Sequence, residues 1–205
     1  MQVYLWVLAM LIAYALGNIN GALILSKWLH HDDVRSHGSG NAGLTNFFRT
    51  YGGIQSVLVI VIDVLKCVAA CLIAAKLLPE HGQQAKMAAG LAAILGHSYP
   101  AVAGFRGGKG ILCGVALIGC VDLRVMAVSL GIFILLVALT HYVSLGSVLG
   151  ATAFPILYTF LHRDDWISCL LAFLAAGFVV ARHHANISRL IKGTESKLTF
   201  HKKQE

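Results

Sequence analysis

Apolar stretches alternate with short polar connectors along nearly the whole chain. Residues 3–25, 54–78, 125–140 and 166–181 come near the roughly 20 residues that a helix needs to cross about 30 Å of hydrocarbon, and residues 145–161 add a fifth stretch. Two others are weaker. Residues 87–104 are interrupted at Gly96-His97-Ser98-Tyr99-Pro100, and residues 110–121 hold only about a dozen apolar positions, so these form either short tilted spans or a re-entrant pair. Residues 3–13 lack the basic flank of a signal peptide and are followed by equally apolar sequence, so they open the first span. With no internal repeat or low-complexity tract, the pattern predicts one all-α polytopic membrane domain over residues 1–205.

Composition removes the soluble alternative. The chain is 58% apolar and 12% charged, with a mean hydropathy of +0.76, and its 16 basic and 9 acidic residues cannot clothe a soluble domain of this length. The net charge of +7 does not imply nucleic acid, because the cations stand singly in short loops with no aromatic platform. They report topology instead. Seven spans, or five spans and one re-entrant hairpin, both put the termini on opposite sides. A cytoplasmic C-terminus then gathers Lys27, Arg35, Arg49, Arg106, Lys109, Arg182, Arg189, Lys192, Lys197, Lys202 and Lys203 on one face, against Lys76, Lys86, Arg124 and Arg163 on the other. The expected orientation is therefore N-terminus outside and C-terminus cytoplasmic. The five cysteines lie within apolar stretches without CxxC spacing and are read as small core hydrophobes.

The same orientation collects four unusual connectors on one face. The first runs Ser36-His37-Gly38-Ser39-Gly40-Asn41-Ala42-Gly43-Leu44-Thr45-Asn46 and is followed by Arg49. Closely spaced glycines let successive backbone N–H groups converge on one anion, and small polar side chains add donors with little bulk. The second, Phe105-Arg106-Gly107-Gly108-Lys109-Gly110, embeds two cations in glycines, yet lacks the spacing of a P-loop. The third is His141-Tyr142-Val143-Ser144. In the fourth, Arg182-His183-His184-Ala185-Asn186, the three-residue offset of His183 and Asn186 would, on a helix, put both on one face able to meet a substrate hydroxyl.

Asp63 and Lys66 lie three apart within a span, where isolated charges are costly, and are expected to form a structural ion pair facing the bundle interior. Neither His183-His184 nor His30-His31-Asp32-Asp33 has convincing metal-ligand spacing, so no metal is expected.

Taken together, these segments resemble the bacterial acyl-phosphate-dependent glycerol-3-phosphate acyltransferases, the PlsY family. The resemblance rests on Ser36-x-Gly38-Ser39-Gly40-Asn41-x-Gly43-x-Thr45-Asn46 with Arg49, and on Gly96-His97-x-x-Pro100 leading into Gly107-Gly108-Lys109-Gly110. It also rests on the segment from Tyr142 to Ser147, on Arg182-His183-x-x-Asn186-Ile187, and on Asp63-x-x-Lys66. It covers nearly the whole chain in the same order. Ala42, Leu44 and Cys113 depart from the proline, alanine and threonine usual in the family.

The resemblance implies seven transmembrane helices, two of them short, in the bacterial inner membrane, with catalysis facing the cytoplasm. The implied reaction moves a fatty acyl group from acyl phosphate to the 1-hydroxyl of glycerol-3-phosphate, giving lysophosphatidic acid and phosphate, the first acylation of phospholipid synthesis. Its implied partners are these two substrates and the lipid bilayer, with no cofactor and no obligate protein partner. By carry-over, Ser39, Gly40, Asn41, Gly43 and Thr45 would bind acyl phosphate. Ser36, Arg49, Lys109, Ser144, His183 and Asn186 would bind glycerol-3-phosphate, and among them Ser36, Lys109, His183 and Asn186 would be catalytic. The proton acceptor is either His183 or a substrate phosphate oxygen, with the reading leaning to the substrate. Two rivals are a carrier of organic phosphates and an acyltransferase using acyl-CoA or acyl carrier protein. No histidine here is followed five residues later by the Asp common in the latter.

Overall fold

The computed structural model describes residues 2–198. Lys202 and Lys203, counted toward the basic face, lie outside the described residues. Helices α1 (Gln2–Gly17) and α2 (Gly21–His30) make an interrupted first leg, followed by the short α3 (Leu44–Tyr51). Then come α4 (Gln55–Leu77), α5 (Gly82–Ser98), α6 (Ile111–Val121), α7 (Leu123–Thr140), α8 (Val143–Leu161), α9 (Trp166–Ala181) and α10 (His184–Ile191). Among the described residues, four stretches are long and apolar enough to cross a bilayer: Val3–His30, Gln55–Leu77, Leu123–Thr140 and Val143–Leu161. α9 with α10 makes a fifth, bent by 59°, while α6 is a shorter apolar helix.

The packing is that of a protein in lipid. Large apolar side chains such as Leu11, Leu65, Leu139 and Phe160 are mostly exposed, whereas the interior is rich in alanine and cysteine. Small residues let helices approach closely. A side chain at Gly17 would overlap the Ala93 carbonyl, and one at Gly96 would overlap the Tyr14 carbonyl, so α1 and α5 cross nearly backbone to backbone. The five cysteines are free, four of them buried. α5 is not broken at Gly96. It runs through Ser98 and stops before Pro100, whose ring disfavours helical geometry at the preceding Tyr99.

The break between α1 and α2 exposes carbonyls that water cannot satisfy at this depth. Lys66 reaches across from α4 to bond the carbonyls of Gly17 (3.3 Å) and Ile19 and the Asp63 carboxylate (2.8 Å). Asp63 in turn accepts the Gly21 N–H at 3.2 Å, and Asn20 caps α2 through the Leu23 N–H. The intramembrane ion pair thus sutures the interrupted leg.

Two short helices were hidden within segments read as connectors. α3 places Leu44, Phe47, Phe48 and Tyr51 at helical spacing, and α10 does so with Ile187, Leu190 and Ile191. Both alternate apolar and polar faces, as expected of helices lying along a membrane interface.

Candidate active site

The four connectors meet at one end of the bundle and enclose a polar cleft of about 490 Å³. Its first wall is the glycine loop before α3, held together by buried Asn46. The Asn46 amide donates to the carbonyls of Val34 (2.8 Å) and His37 (3.0 Å), while its oxygen accepts the Ser39 N–H at 3.0 Å. Gly38, at φ +54°, sits against that oxygen with no room for a side chain. Ser39, Asn41, Gly43 and Thr45 line the cleft. Gly40 and Ser36 are outside the lining, and the Ser36 hydroxyl is turned back onto the Asp33 carbonyl at 2.7 Å.

The second glycine loop closes over the end of α5. Gly107 and Gly108 donate their N–H groups to the carbonyls of Ser98 and His97, each at 3.1 Å. A side chain at Gly108 would overlap the His97 ring and come within 2.8 Å of the Ala42 carbonyl, so glycine is required where the two loops touch. This contact delivers Lys109 into the cleft, where its ammonium bonds the Asn186 oxygen.

Four helix N-termini border the same space. First-turn or cap residues of α3 (Gly43, Thr45), α6 (Gly110, Ile111), α8 (Val143, Ser144) and α10 (His183, Asn186) all line it. None of the four has a side-chain cap. Unpartnered first-turn N–H groups and the positive end of the helix dipole make such termini natural anion sites.

Lys109, Arg49 and Arg189 add formal positive charge. Burial, with Arg189, Arg182 and Arg49 nearby, lowers the Lys109 pKa to about 8 despite the opposing Glu195. Glu195 accepts from Asn186 (2.7 Å) and Arg189 (2.6 Å). Its burial raises the carboxyl pKa, but these bonds outweigh the effect and hold it below the usual range. The Asn186 amide is consequently fixed in orientation, oxygen toward Lys109 and nitrogen toward Glu195.

His183 is buried, and its Nδ1 lies 2.7 Å from the Val179 carbonyl. That carbonyl can only accept, so Nδ1 carries the proton and Nε2 is left as an acceptor. Burial, reinforced by the Lys109 and Arg182 cations, lowers the His183 pKa to about 4. The ring is therefore neutral at physiological pH.

Sequence reasoning placed Ser39, Asn41, Gly43, Thr45, Arg49, Lys109, Ser144, His183 and Asn186 in the site, and all line this cleft. It missed the lining residues Arg189, Glu195, His97 and Ser147. In the sequence Arg189 reads only as a topological charge, and nothing local marks Glu195. The His30-His31-Asp32-Asp33 run has other employment: His30 bonds Gln55, and Asp32 accepts from Tyr51 and His37.

Adjoining the cleft is an apolar groove of about 290 Å³ between α4, α5, α6, α7, α8 and α9. Ile111, Leu112 and Ser147 line both spaces, so the two communicate.

Residues 7–193 match the model of a family described as glycerol-3-phosphate acyltransferase. A glycerol-3-phosphate acyltransferase of Thermoanaerobacter pseudethanolicus is 40% identical over 94% of this chain and 95% of its own. One from Clostridioides difficile is 38% identical over 97% and 98% of the two chains. Among solved structures, the crystal structure of the integral membrane glycerol 3-phosphate acyltransferase PlsY in its glycerol 3-phosphate form superposes with a TM-score of 0.87, at 32% identity over 95% of this chain and 96% of that one. Its lysophosphatidic acid form gives a TM-score of 0.84 at 30% identity, covering 95% of each chain.

Proposed function

Because the chain belongs to the glycerol-3-phosphate acyltransferase family known as PlsY, we propose that it acylates the 1-hydroxyl of glycerol-3-phosphate with acyl phosphate as donor. The observation that carries this reading is the convergence of uncapped helix starts and cations on a polar cleft opening into an apolar groove. Such a space suits two phosphates and one hydrocarbon chain.

Ser39, Asn41, Gly43, Thr45 and the start of α3 would hold the donor phosphate, with Gly40 shaping the turn behind them. Its acyl chain would enter the groove, where burial is worth about 0.8 kcal/mol per methylene. Lys109 and Arg49 would hold the acceptor phosphate, Ser144 would contact it from the start of α8, and Ser36 could join after rotation of its hydroxyl. His183 and Asn186 would orient the 1-hydroxyl.

Acyl phosphate is a mixed anhydride, so the protein has mainly to position two anions and stabilise the carbonyl oxyanion. The acceptor oxygen attacks the carbonyl carbon, the bond to the phosphate oxygen breaks, and the hydroxyl proton leaves with phosphate. A pKa near 4 makes His183 a weak base but a good hydrogen-bond acceptor, which favours the departing phosphate as proton acceptor.

We further propose seven membrane crossings, by α1 with α2, α4, α5, α6, α7, α8 and α9, with the N-terminus outside and the cleft on the cytoplasmic face of the bacterial inner membrane. The Lys and Arg asymmetry supports this orientation. Neither metal nor cofactor enters the proposed mechanism.

The test is purified chain in detergent with palmitoyl phosphate and glycerol-3-phosphate. One phosphate should be released for each lysophosphatidic acid formed. Product from palmitoyl-CoA alone would overturn the donor assignment. Flux of intact glycerol-3-phosphate into vesicles, without chemistry, would establish the carrier reading instead.

A further inference from the structure

His97 lies at the end of α5, buried beneath the contact between the two glycine loops, and also lines the polar cleft. Its Nδ1 is 2.8 Å from the Lys66 ammonium. Lys66 has three protons to donate, and the carbonyls of Gly17 and Ile19 with the Asp63 carboxylate already supply three acceptors. The suture between α1 and α2 is thus complete without the imidazole. Nδ1 is a fourth acceptor for three protons and shares one of them, the 3.3 Å bond to Gly17 being the longest; because an ammonium nitrogen cannot accept, the ring proton resides on Nε2. Asp63, 3.6 Å from Nδ1, belongs to the same cluster.

Nε2 faces the opposite way, toward the place where Gly108 approaches Ala42. The side chain is only 5% exposed, yet Nε2 has no hydrogen-bond partner among the described residues. Nε2 is not among the fully enclosed unpartnered atoms, so it opens onto the cleft that the ring lines, where a ligand can accept from it.

We propose that His97 is a further substrate-contacting group, a neutral imidazole whose Nε2–H donates to an oxyanion at the seam between the two glycine loops. The oxyanion is either the donor phosphate or the carbonyl oxygen of the collapsing anhydride, and this assignment rests on the acyl-transfer reading. His97 differs from His183 in the opposite sense of its tautomer: one ring presents N–H to the cleft, the other a lone pair.

Paired substitutions in the full-length, detergent-purified chain test it. His97→Asn keeps a polar atom near the Nδ1 position for Lys66 but removes the outer donor, whereas His97→Gln carries an amide N–H toward the Nε2 position. With melting in detergent monitored, His97→Asn should lose about 10²-fold in turnover, and His97→Gln should recover roughly tenfold of that. A raised KM for palmitoyl phosphate would identify the donor phosphate as the contact. Reduced kcat at unchanged KM would identify the carbonyl oxyanion. Turnover of His97→Asn within about threefold of wild type, or a loss in His97→Gln equal to or greater than in His97→Asn, overturns the proposal.

Should His97→Asn fail to fold, nitrogen-15 histidine NMR of the wild-type chain decides. A neutral Nε2–H tautomer whose resonance shifts on adding inorganic phosphate supports the contact, and an Nδ1–H tautomer or an unresponsive signal refutes it. If the wild-type chain releases no phosphate from palmitoyl phosphate, the reaction assignment fails separately, and the NMR titration still decides whether His97 binds an oxyanion.

Discussion

Two helices at the end away from the cleft begin on an aspartate cap, whereas four at the cleft end begin with no side-chain cap. At the end away from the cleft, Asp122 caps α7 through the N–H groups of Arg124 (2.8 Å) and Val125 (3.4 Å), and also binds His162. Asp165 caps α9, accepting from the Ser168 N–H (3.2 Å) and hydroxyl (2.6 Å), and takes a further bond from Gln84. At the cleft end, α3, α6, α8 and α10 start without side-chain caps. A missing cap forgoes about 1 kcal/mol. Because α5 also starts uncapped at the far end, it is the convergence of four uncapped starts on one cleft, and not a missing cap alone, that separates polar groups open to a ligand from polar groups that finish the fold.

The largest loss is expected where the two glycine loops cannot close. Gly108→Val would push a branched side chain into the His97 ring and against Ala42, displacing Lys109. Misplacement on the scale of 1 Å can cost about 10²-fold, so kcat/KM should fall by at least roughly that factor while the purified protein still melts cooperatively. Retained activity would detach the second glycine loop from the site.

Next in size is Lys109→Met, which removes one charge-assisted contact worth about 2–3 kcal/mol, or roughly 30–150-fold in kcat/KM for glycerol-3-phosphate. The KM for palmitoyl phosphate should change less. An unaltered acceptor dependence would contradict the placement of the acceptor phosphate.

Titration of Lys109 reports on the same contact without mutation. The free-enzyme pKa of Lys109 is about 8, below the ordinary lysine value because of burial and neighbouring cations. A bound phosphate favours the ammonium and raises that pKa. Acceptor affinity should therefore be level below pH 8 and weaken as pH rises through it, with KM climbing about tenfold per pH unit above it. A flat KM up to pH 9.5 would argue against the contact.

The smallest effect belongs to the opposite end. Asp165→Ala should cost about 1 kcal/mol and lower the melting temperature by a few degrees, with kcat at low temperature unchanged. Loss of turnover in a still-folded Asp165→Ala chain would erase the distinction between the two ends.

Span positions and the loops that meet at the cleft were legible in the sequence because both are local: apolar length marks a span, and clustered glycine with small polar residues marks an anion loop. α3 and α10 were not, because a polar face in a glycine-rich or basic context resembles a connector until its apolar residues are aligned at helical spacing. The break after Gly17 is masked by the apolar run around it, and the Lys66 that bonds the carbonyls of Gly17 and Ile19 lies more than forty residues away. His97 bonds Lys66 across 31 residues, and Glu195 reaches Asn186 from the tail, so neither leaves a periodic trace. Ser36 shows the converse limit, since its place in a motif did not reveal that its hydroxyl closes its own turn.

The proposed reaction requires nonadjacent connectors to build one oxyanion cleft on a single side of the membrane. Cysteines introduced at the exposed positions His37, Arg106 and His184, one per loop, can be labelled with a membrane-impermeant maleimide in right-side-out and inverted vesicles. All three should react only when the cytoplasmic face is outward. Labelling of any two from opposite faces would contradict the account.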